Sequence, residues 1–451
     1  MKKVLAILLT VGLLMTTACS NGEESSPSPA PEGDNSVQQE ESFQTDTGEE
    51  ITIEFFSTFP DRNTGRGLME QKYIDQYMDE HPNVKVVGEH LVDDAYKPKI
   101  QTYIASNDVP DIMFAWSARN FMDPLISGDF ITELTAEDYE DFNFMAGALE
   151  AFTYDGKLYG VPTQADYWVM YYNEKIFNDN GIKVPETYEE MLTAGEQLNA
   201  KGITPCSLAG KDKWPLIVTW QSFIVQLSGG PAAIDNCIAG DETFADNADM
   251  KKAGEYFEQL VAQDFFQRSF LTADYATSKN LFTQGQTAMF LMGSWEMSMG
   301  SDDQIEAEVR DNIRAMRIPQ ISGGKGTNQD LALNYGAGYV VSSNEETKEA
   351  SIELLNLMME PENYAKFCWE NGIMIPVEKY DDYFTGNENN VQNDLTQIFQ
   401  DATSASGAWI CDQLTSSFKT NTEELMHQFA SGMIDLDTML QRFDEEAENA
   451  R

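Results

Sequence analysis

Two hydrophobic periods alternate along the chain from residue 51. Residues 51–56 are rich in β-branched and aromatic side chains and predict a strand, which Pro60 ends. Between Thr64 and Asp79 the apolar positions Leu68, Met69, Tyr73, Tyr77 and Met78 fall at near-helical spacing, and Pro82 stands just beyond. Residues 84–87 read as a second strand, residues 96–106 as a helix with Pro98 tolerable in its first turn, and residues 112–116 as a third strand. A β-α-β-α-β order predicts parallel strands joined by helical crossovers. Ligands of such sheets bind outside the carboxyl ends of the strands. That rule places Thr58, Glu89 and Trp116 near an expected site, although Thr58 and Glu89 fit ordinary solvated loops as well.

A second half begins after Gly160-Val161-Pro162, with residues 167–172 as an aromatic strand. Thr187 and Glu190 have capping-box spacing ahead of a helix running towards Ala200. Residues 287–292 form a buried-type strand that ends at Gly293-Ser294-Trp295. Ser343 and Glu346 repeat the capping spacing before Ala350, Leu354, Leu357 and Met358, which share one helical face. Pro361 opens the next helix and Gly372 ends it. No short repeat of fixed period occurs, which argues against a solenoid.

The N-terminus has a different pattern. Lys2 and Lys3 precede an apolar run from Val4 to Met15 and small residues up to Cys19, which predicts a signal peptide over residues 1–18. The run is shorter than the roughly 20 residues of a membrane-spanning helix. From Ser20 to Glu50 the chain turns to Ser, Pro, Gly, Gln and acids, with Phe43 its one aromatic residue. So little apolar surface predicts a flexible stalk reaching about 30 Å. About 400 residues then remain, more than one comfortable core, which suggests two lobes.

Composition narrows the chemistry. Against 75 Asp and Glu stand 29 Lys and Arg, a formal charge of −46, or −48 once Lys2 and Lys3 leave with the leader. Such a field repels nucleic acid, anionic lipid and phosphorylated substrates and favours a neutral or cationic ligand, though an acidic surface also serves solubility alone. Cys206, Cys237, Cys368 and Cys411 show no CxxC spacing and leave disulfides and buried free thiols both open. Only His81, His90 and His427 are present, with no HExxH, so neither a metal nor a cofactor is expected.

Longer segments carry a family likeness. They are His81-Pro82-Asn83-Val84, Ala105-Ser106-Asn107-Asp108 with Pro110-Asp111-Ile112, Gly156-Lys157-Leu158-Tyr159-Gly160-Val161-Pro162, and Tyr172-Asn173-Glu174-Lys175-Ile176-Phe177. Later come Phe282-Thr283-Gln284-Gly285-Gln286-Thr287-Ala288-Met289 with Gly293-Ser294-Trp295, and Val341-Ser342-Ser343-Asn344 before Lys348-Glu349-Ala350. In this order and spacing the chain resembles a family 1 extracellular solute-binding protein, the group that includes maltose-binding protein. The resemblance implies an α/β, two-lobed periplasmic-binding-protein-like fold with a ligand cleft between the lobes and a hinge crossed three times. The crossings are expected near Pro162, Ile318-Pro319 and Met359-Pro361. That gives an N-terminal lobe of residues 51–162 plus 319–359 and a C-terminal lobe of residues 163–318 plus 360–451. It also implies a monomer that closes on a carbohydrate and hands it to the permease subunits of an ABC importer. Thr17-Ala18-Cys19 resembles a lipobox, with Thr16 where Leu is usual. Acylated Cys19 would then tether the protein, through residues 19–50, to the extracellular face of the cell membrane; plain cleavage near Ala18 is the alternative.

A pyranose presents apolar C–H faces and a rim of hydroxyls, so its site needs aromatic faces beside hydrogen-bonding side chains. Candidates near strand ends are Trp116, then Asp166 with Tyr167 and Trp168, and Trp295 with Glu296. The matching position in sugar-binding relatives often stacks on ligand at Trp295. Tyr335 lies among small residues in Asn334-Tyr335-Gly336-Ala337-Gly338, and Trp409 with Asp412 lies in a late segment that faces the cleft in relatives. Trp220 beside Gln221 stays open, while Trp214 and Trp369 have apolar neighbours at near-helical spacing and read as core. For each aromatic candidate, core is the competing expectation. Two carboxylates in a cleft also describe a glycosidase, but 75 acids make such a pair expected by chance and no GxSxG occurs. The sequence therefore predicts a binding protein, with a glycan-binding sensor or adhesion lipoprotein as the alternative and peptides or polyamines as other solutes.

Overall fold

The computed structural model describes residues 50–145 and 147–451; the predicted leader, Cys19 and all but the last residue of the stalk lie outside them. Strands β1 (Ile51–Ser57), β2 (Val84–His90) and β3 (Ile112–Trp116) alternate with helices α1 (Gly65–Glu80) and α2 (Asp93–Ser106), and α3 (Arg119–Ser127) follows. The strands pair in parallel in the order β2-β1-β3, with Ile51 opposite Val84 and Phe55 opposite Ile112. β3 is an inner strand of its sheet, paired along both edges and covered on both faces, which is why residues 112–115 are continuously apolar and buried. Helix α1 buries Met69, Tyr73, Ile74 and Tyr77, whereas Leu68 stands 37% exposed off that stripe. The strand Ala337–Val341 joins antiparallel to β3, with Ala337 opposite Trp116, and Val161–Pro162 closes the sheet.

The second sheet is built on the strand Asp166–Asn173, all eight residues of which are buried. Thr287–Gly293 and Ile313–Met316 flank it antiparallel, and Thr204–Ser207 lies parallel to Thr287–Gly293. The helix Trp214–Ser228 is buried along nearly its whole length, which is why its sequence shows no polar face. Thr187 caps its helix as expected, accepting from the Glu190 amide at 3.2 Å. Glu190 completes only half the box, because its carboxylate accepts from the Glu186 amide instead. Ser343 caps nothing: the helix starts at Lys348, and the Ser343 hydroxyl donates to the Asp129 carbonyl. The four described cysteines are buried and free.

Three segments join the lobes side by side. The Thr163 amide and hydroxyl both donate to the Ala337 carbonyl, at 2.9 and 3.1 Å, and the Ala165 amide donates to Ile375 at 3.1 Å. The Val377 amide returns to the Thr163 carbonyl at 3.3 Å. The first crossing thus runs from Pro162 to Asp166. The second differs from the expected Ile318-Pro319. Ile321, Leu331, Ala332 and Leu333 are buried in the second lobe's core, Gln226 holds both the Ile321 amide and the Ile318 carbonyl, and Leu333 pairs with Tyr167. The chain therefore returns only at Tyr335-Gly336, and residues 319–334 belong to the C-terminal lobe. The third crossing also moves, from Met359-Pro361 to Met374-Ile375. Tyr364, Cys368, Ile373 and Met374 remain in the first core, while Ala365, Trp369 and Ile375 reach the second. A proline after a helix marked a break in the chain's path but not a change of lobe.

Candidate functional site

Gln164, Asp166 and Trp168 alternate along the first crossing and the strand that follows it, so they share one side of the chain. Asp166 is 8% exposed and accepts from the Gln164 side-chain amide. Burial pushes its carboxyl up to about 7, against the opposing pull of Gln164 and the nearby Arg66 guanidinium. Gln164 Oε1, Trp168 Nε1 and, from the second crossing, Asn334 Oδ1 are buried without a protein hydrogen-bond partner among the described residues. Buried polar atoms of native proteins are nearly always partnered, so these three atoms on neighbouring hinge segments are open to a further hydrogen-bond partner. Glu378, at the third crossing, is fully buried with neither carboxylate oxygen partnered among the described residues, and burial pushes it well above the usual carboxylate range.

Three indoles meet next to this row. Trp168 packs on Trp214 at 5.7 Å and on Trp295 at 6.2 Å between ring centroids, and Trp214 lies 5.9 Å from Trp295. Trp168 is buried, whereas Trp214 and Trp295 keep part of their surface open. Ser294 fixes the end of the strand that carries Trp295: its hydroxyl donates to the Ala165 carbonyl at 2.9 Å and accepts from the Tyr167 amide at 3.2 Å. Trp295 Nε1 donates to the Tyr275 hydroxyl at 2.8 Å, and Tyr275 donates to Glu296.

Across the cleft, Trp116 ends β3 with its ring edge-on to Tyr96, Phe114 and Phe121, and the Lys97 ammonium stands 4.5 Å from its centroid. The Arg66 guanidinium lies 4.4 Å over the Phe59 ring and donates to Met374 Sδ at 2.9 Å. Beneath it a buried network ties the ends of β1 and β2. Glu70 accepts from Ser57 at 2.8 Å, from Tyr339 at 2.5 Å and from Arg62, and Ser57 Oγ lies 3.0 Å from His90 Nδ1. Burial and Arg62 push His90 down to about 4, so its ring is neutral at pH 7. Thr58 follows this network and is partly buried. At the cleft's mouth the Ser416 hydroxyl donates to the Asn120 carbonyl at 3.0 Å, linking the lobes directly.

Several candidates are corrected by this geometry. Tyr167 is fully buried and donates to the Leu395 carbonyl at 2.8 Å, and Trp220 is fully buried with its Nε1 on the Met250 carbonyl at 3.2 Å. Both are core residues. Gln221 serves from below, accepting from the Ile410 amide at 2.8 Å and donating to Ser406, which fixes the segment that carries Trp409. Glu296 is not an open acceptor, since Tyr275 holds one oxygen and Lys279 the other at 2.7 Å. Asp412 is likewise engaged by Lys419, which also lies 3.4 Å from Glu423. Tyr335, at the second crossing, and Trp409 are partly buried against the second core. Trp214, expected in the core, stands instead at the first turn of its helix, where near-helical spacing says nothing about facing. Tyr275 was missed altogether, because its role depends on contacts to residues 20 and 21 positions away.

Two α/β lobes on a three-segment hinge, with aromatic and hydrogen-bonding groups at the strand ends between them, define a hinge-bending binding protein. The chain belongs to the bacterial extracellular solute-binding protein family, which it matches over residues 65–365. The multiple sugar-binding protein of Streptococcus mutans is 24% identical over 258 residues, 55% of this chain and 58% of that protein. The match thus spans little more than half of that relative. A structure from work on xylan utilisation by the thermophilic bacterium Caldanaerobius polysaccharolyticus superposes with a TM-score of 0.79 at 25% identity, covering 88% of this chain and all of that one. A chitin oligosaccharide binding protein superposes with a TM-score of 0.80 at 21% identity, over 89% of this chain and 99% of that one. No helix among the described residues is long and apolar enough to cross a membrane, and no cluster of metal-ligating residues occurs among them.

Proposed function

We propose that this protein captures a carbohydrate, an oligosaccharide, outside the cell and delivers it to the permease subunits of an ABC importer, tethered through acylated Cys19 as a monomer. The observation that carries the reading is the meeting of the Trp168, Trp214 and Trp295 indoles with the unpartnered Gln164, Trp168 and Asn334 atoms beside the hinge. Apolar ring faces stack on indoles, and hydroxyls answer buried polar atoms. Lobe closure then reports occupancy to the importer, since a ligand that binds the closed state better shifts the population towards it. The protein is a receptor and leaves its ligand chemically unchanged.

A thermal-shift screen of mono- and oligosaccharides, peptides and polyamines tests the reading. A sugar at about 100 times its dissociation constant should add about 2.7 kcal/mol of stability. Stabilisation by peptides or polyamines alone would overturn it, and released shorter sugars on prolonged incubation would make the protein an enzyme. Cys19→Ser should free the protein into the medium; a mutant that stays with the membrane would defeat the lipid anchor.

A further inference from the structure

The orientation of Trp295 is over-determined in a way that sugar stacking by itself does not require. Gly293 has φ of −86° and ψ of 169°, an extended conformation open to any residue, so the backbone does not call for glycine there. Space does. A Cβ on Gly293 would fall 2.0 Å from Trp295 Cζ3 and 2.2 Å from Cη2, because the six-membered part of the indole lies over the glycine. The opposite edge of the ring is held by the chain of donors through Tyr275. With Trp295 Nε1 donating to the Tyr275 oxygen, the single phenolic hydrogen must go to Glu296, whose second oxygen is held by Lys279. Every proton in the chain has one direction, so the indole has one favourable setting. The helix Tyr275–Thr283 that supplies Tyr275 and Lys279 is itself fixed, with Asp274 as its cap and the Tyr275 amide on Asp212 at 2.7 Å.

We propose that Gly293 and Tyr275, the latter backed by Glu296 and Lys279, are positioning residues that set the Trp295 ring for sugar stacking and so determine which sugars the cleft accepts. The proposal rests on the carbohydrate reading above. A ring fixed on one side by backbone and at its nitrogen by a hydroxyl offers a single preformed plane. The cost of ordering it is met in folding rather than in binding.

The test uses the full chain and four probes: maltotriose, raffinose, chitotriose and xylotriose. Tyr275→Phe keeps the ring volume and removes the hydroxyl. It should shift the Trp295 indole N–H resonance, assigned with Trp295→Phe, and weaken the best of the four probes about fivefold. Gly293→Ala should move the same resonance and weaken binding about tenfold or more, and it should change the ranking of the four. In a Trp295→Ala background Tyr275→Phe should have no further effect on affinity. An unmoved resonance with unchanged affinity, or an equal loss with and without Trp295, would overturn the positioning role while leaving carbohydrate capture standing. Full affinity in Trp295→Ala would do the same. If the wild type binds none of the four, the sugar that stabilises it in the wider screen replaces them as the probe; if no sugar in that screen stabilises it, the carbohydrate reading falls and this proposal with it. Should Gly293→Ala not fold, Tyr275→Phe and the double variant decide alone.

Discussion

The two walls of the cleft meet their polar groups differently. On the first-lobe wall the buried carboxylate Glu70 has both oxygens answered, by Ser57 and Arg62 on one side and Tyr339 on the other, and Trp116 lies under Lys97. Beside the hinge and on the second-lobe wall, Gln164, Trp168 and Asn334 leave polar atoms unanswered beside three indoles. A buried carboxylate with both oxygens answered resists distortion and serves as a rigid edge, although Arg62 Nη2 and Arg66 Nε beside it are buried without a partner among the described residues. A wall with unanswered donors and acceptors gains most when a hydroxylated ligand arrives. Recognition should therefore be concentrated on the second lobe and the hinge, and stability on the first.

Glu70→Ala should produce the largest effect, a loss of about 3–5 kcal/mol in unfolding free energy, because Arg62, Tyr339 and Ser57 lose their common acceptor. Denaturant unfolding checks it, and a change near zero would mean that the first wall is not held by this network. Next comes pH. Asp166 ordinarily titrates at 3.8 and is raised to about 7 in the fold. The stability it contributes is complete below the unfolded value and is lost as pH rises through about 7, by at most about 4 kcal/mol. Asp166→Asn should flatten the stability profile between about pH 4 and 7; an unchanged slope would show that Asp166 is not buried as an acid. Trp295→Ala should lower sugar affinity at least about tenfold, about 1.4 kcal/mol, with the fold retained. If calorimetry finds the affinity intact and unfolding instead easier by about 3–5 kcal/mol, the indole belongs to the core. Ser416→Ala removes one exposed bond between the walls and should weaken ligand binding about twofold, measured by the same titration. A larger loss would mean that closure depends on the mouth more than on the hinge.

The first three strands and their helices were legible because each has one buried face or two, and burial writes a period into the sequence. The aromatic strand Asp166–Asn173 and the run ending at Trp295 were legible for the same reason. The separation of Tyr167 from Trp168 was not, since neighbours on a strand buried on both faces look equally apolar. Trp168 has an unpartnered Nε1 beside two other indoles, while the Tyr167 hydroxyl is answered by Leu395, and only the fold makes them differ.

The sequence by itself determined the parallel β-α-β-α-β start, the alternation of strands with long helices, and a supply of aromatics at strand ends. These depend on near neighbours in the chain, through periodicity and turn chemistry. Tertiary structure alone decided where the chain changes lobes, which acids are engaged, and which tryptophans meet. Pro319 and Pro361 interrupt local structure without changing lobes, because the core that buries Leu333 or Tyr364 is assembled from segments far away in the chain. Glu296 and Asp412 looked like open acceptors until Lys279 and Lys419 were seen to hold them. Local pattern fixes which face of an element is apolar, but the partner of a buried charge is chosen by packing between elements.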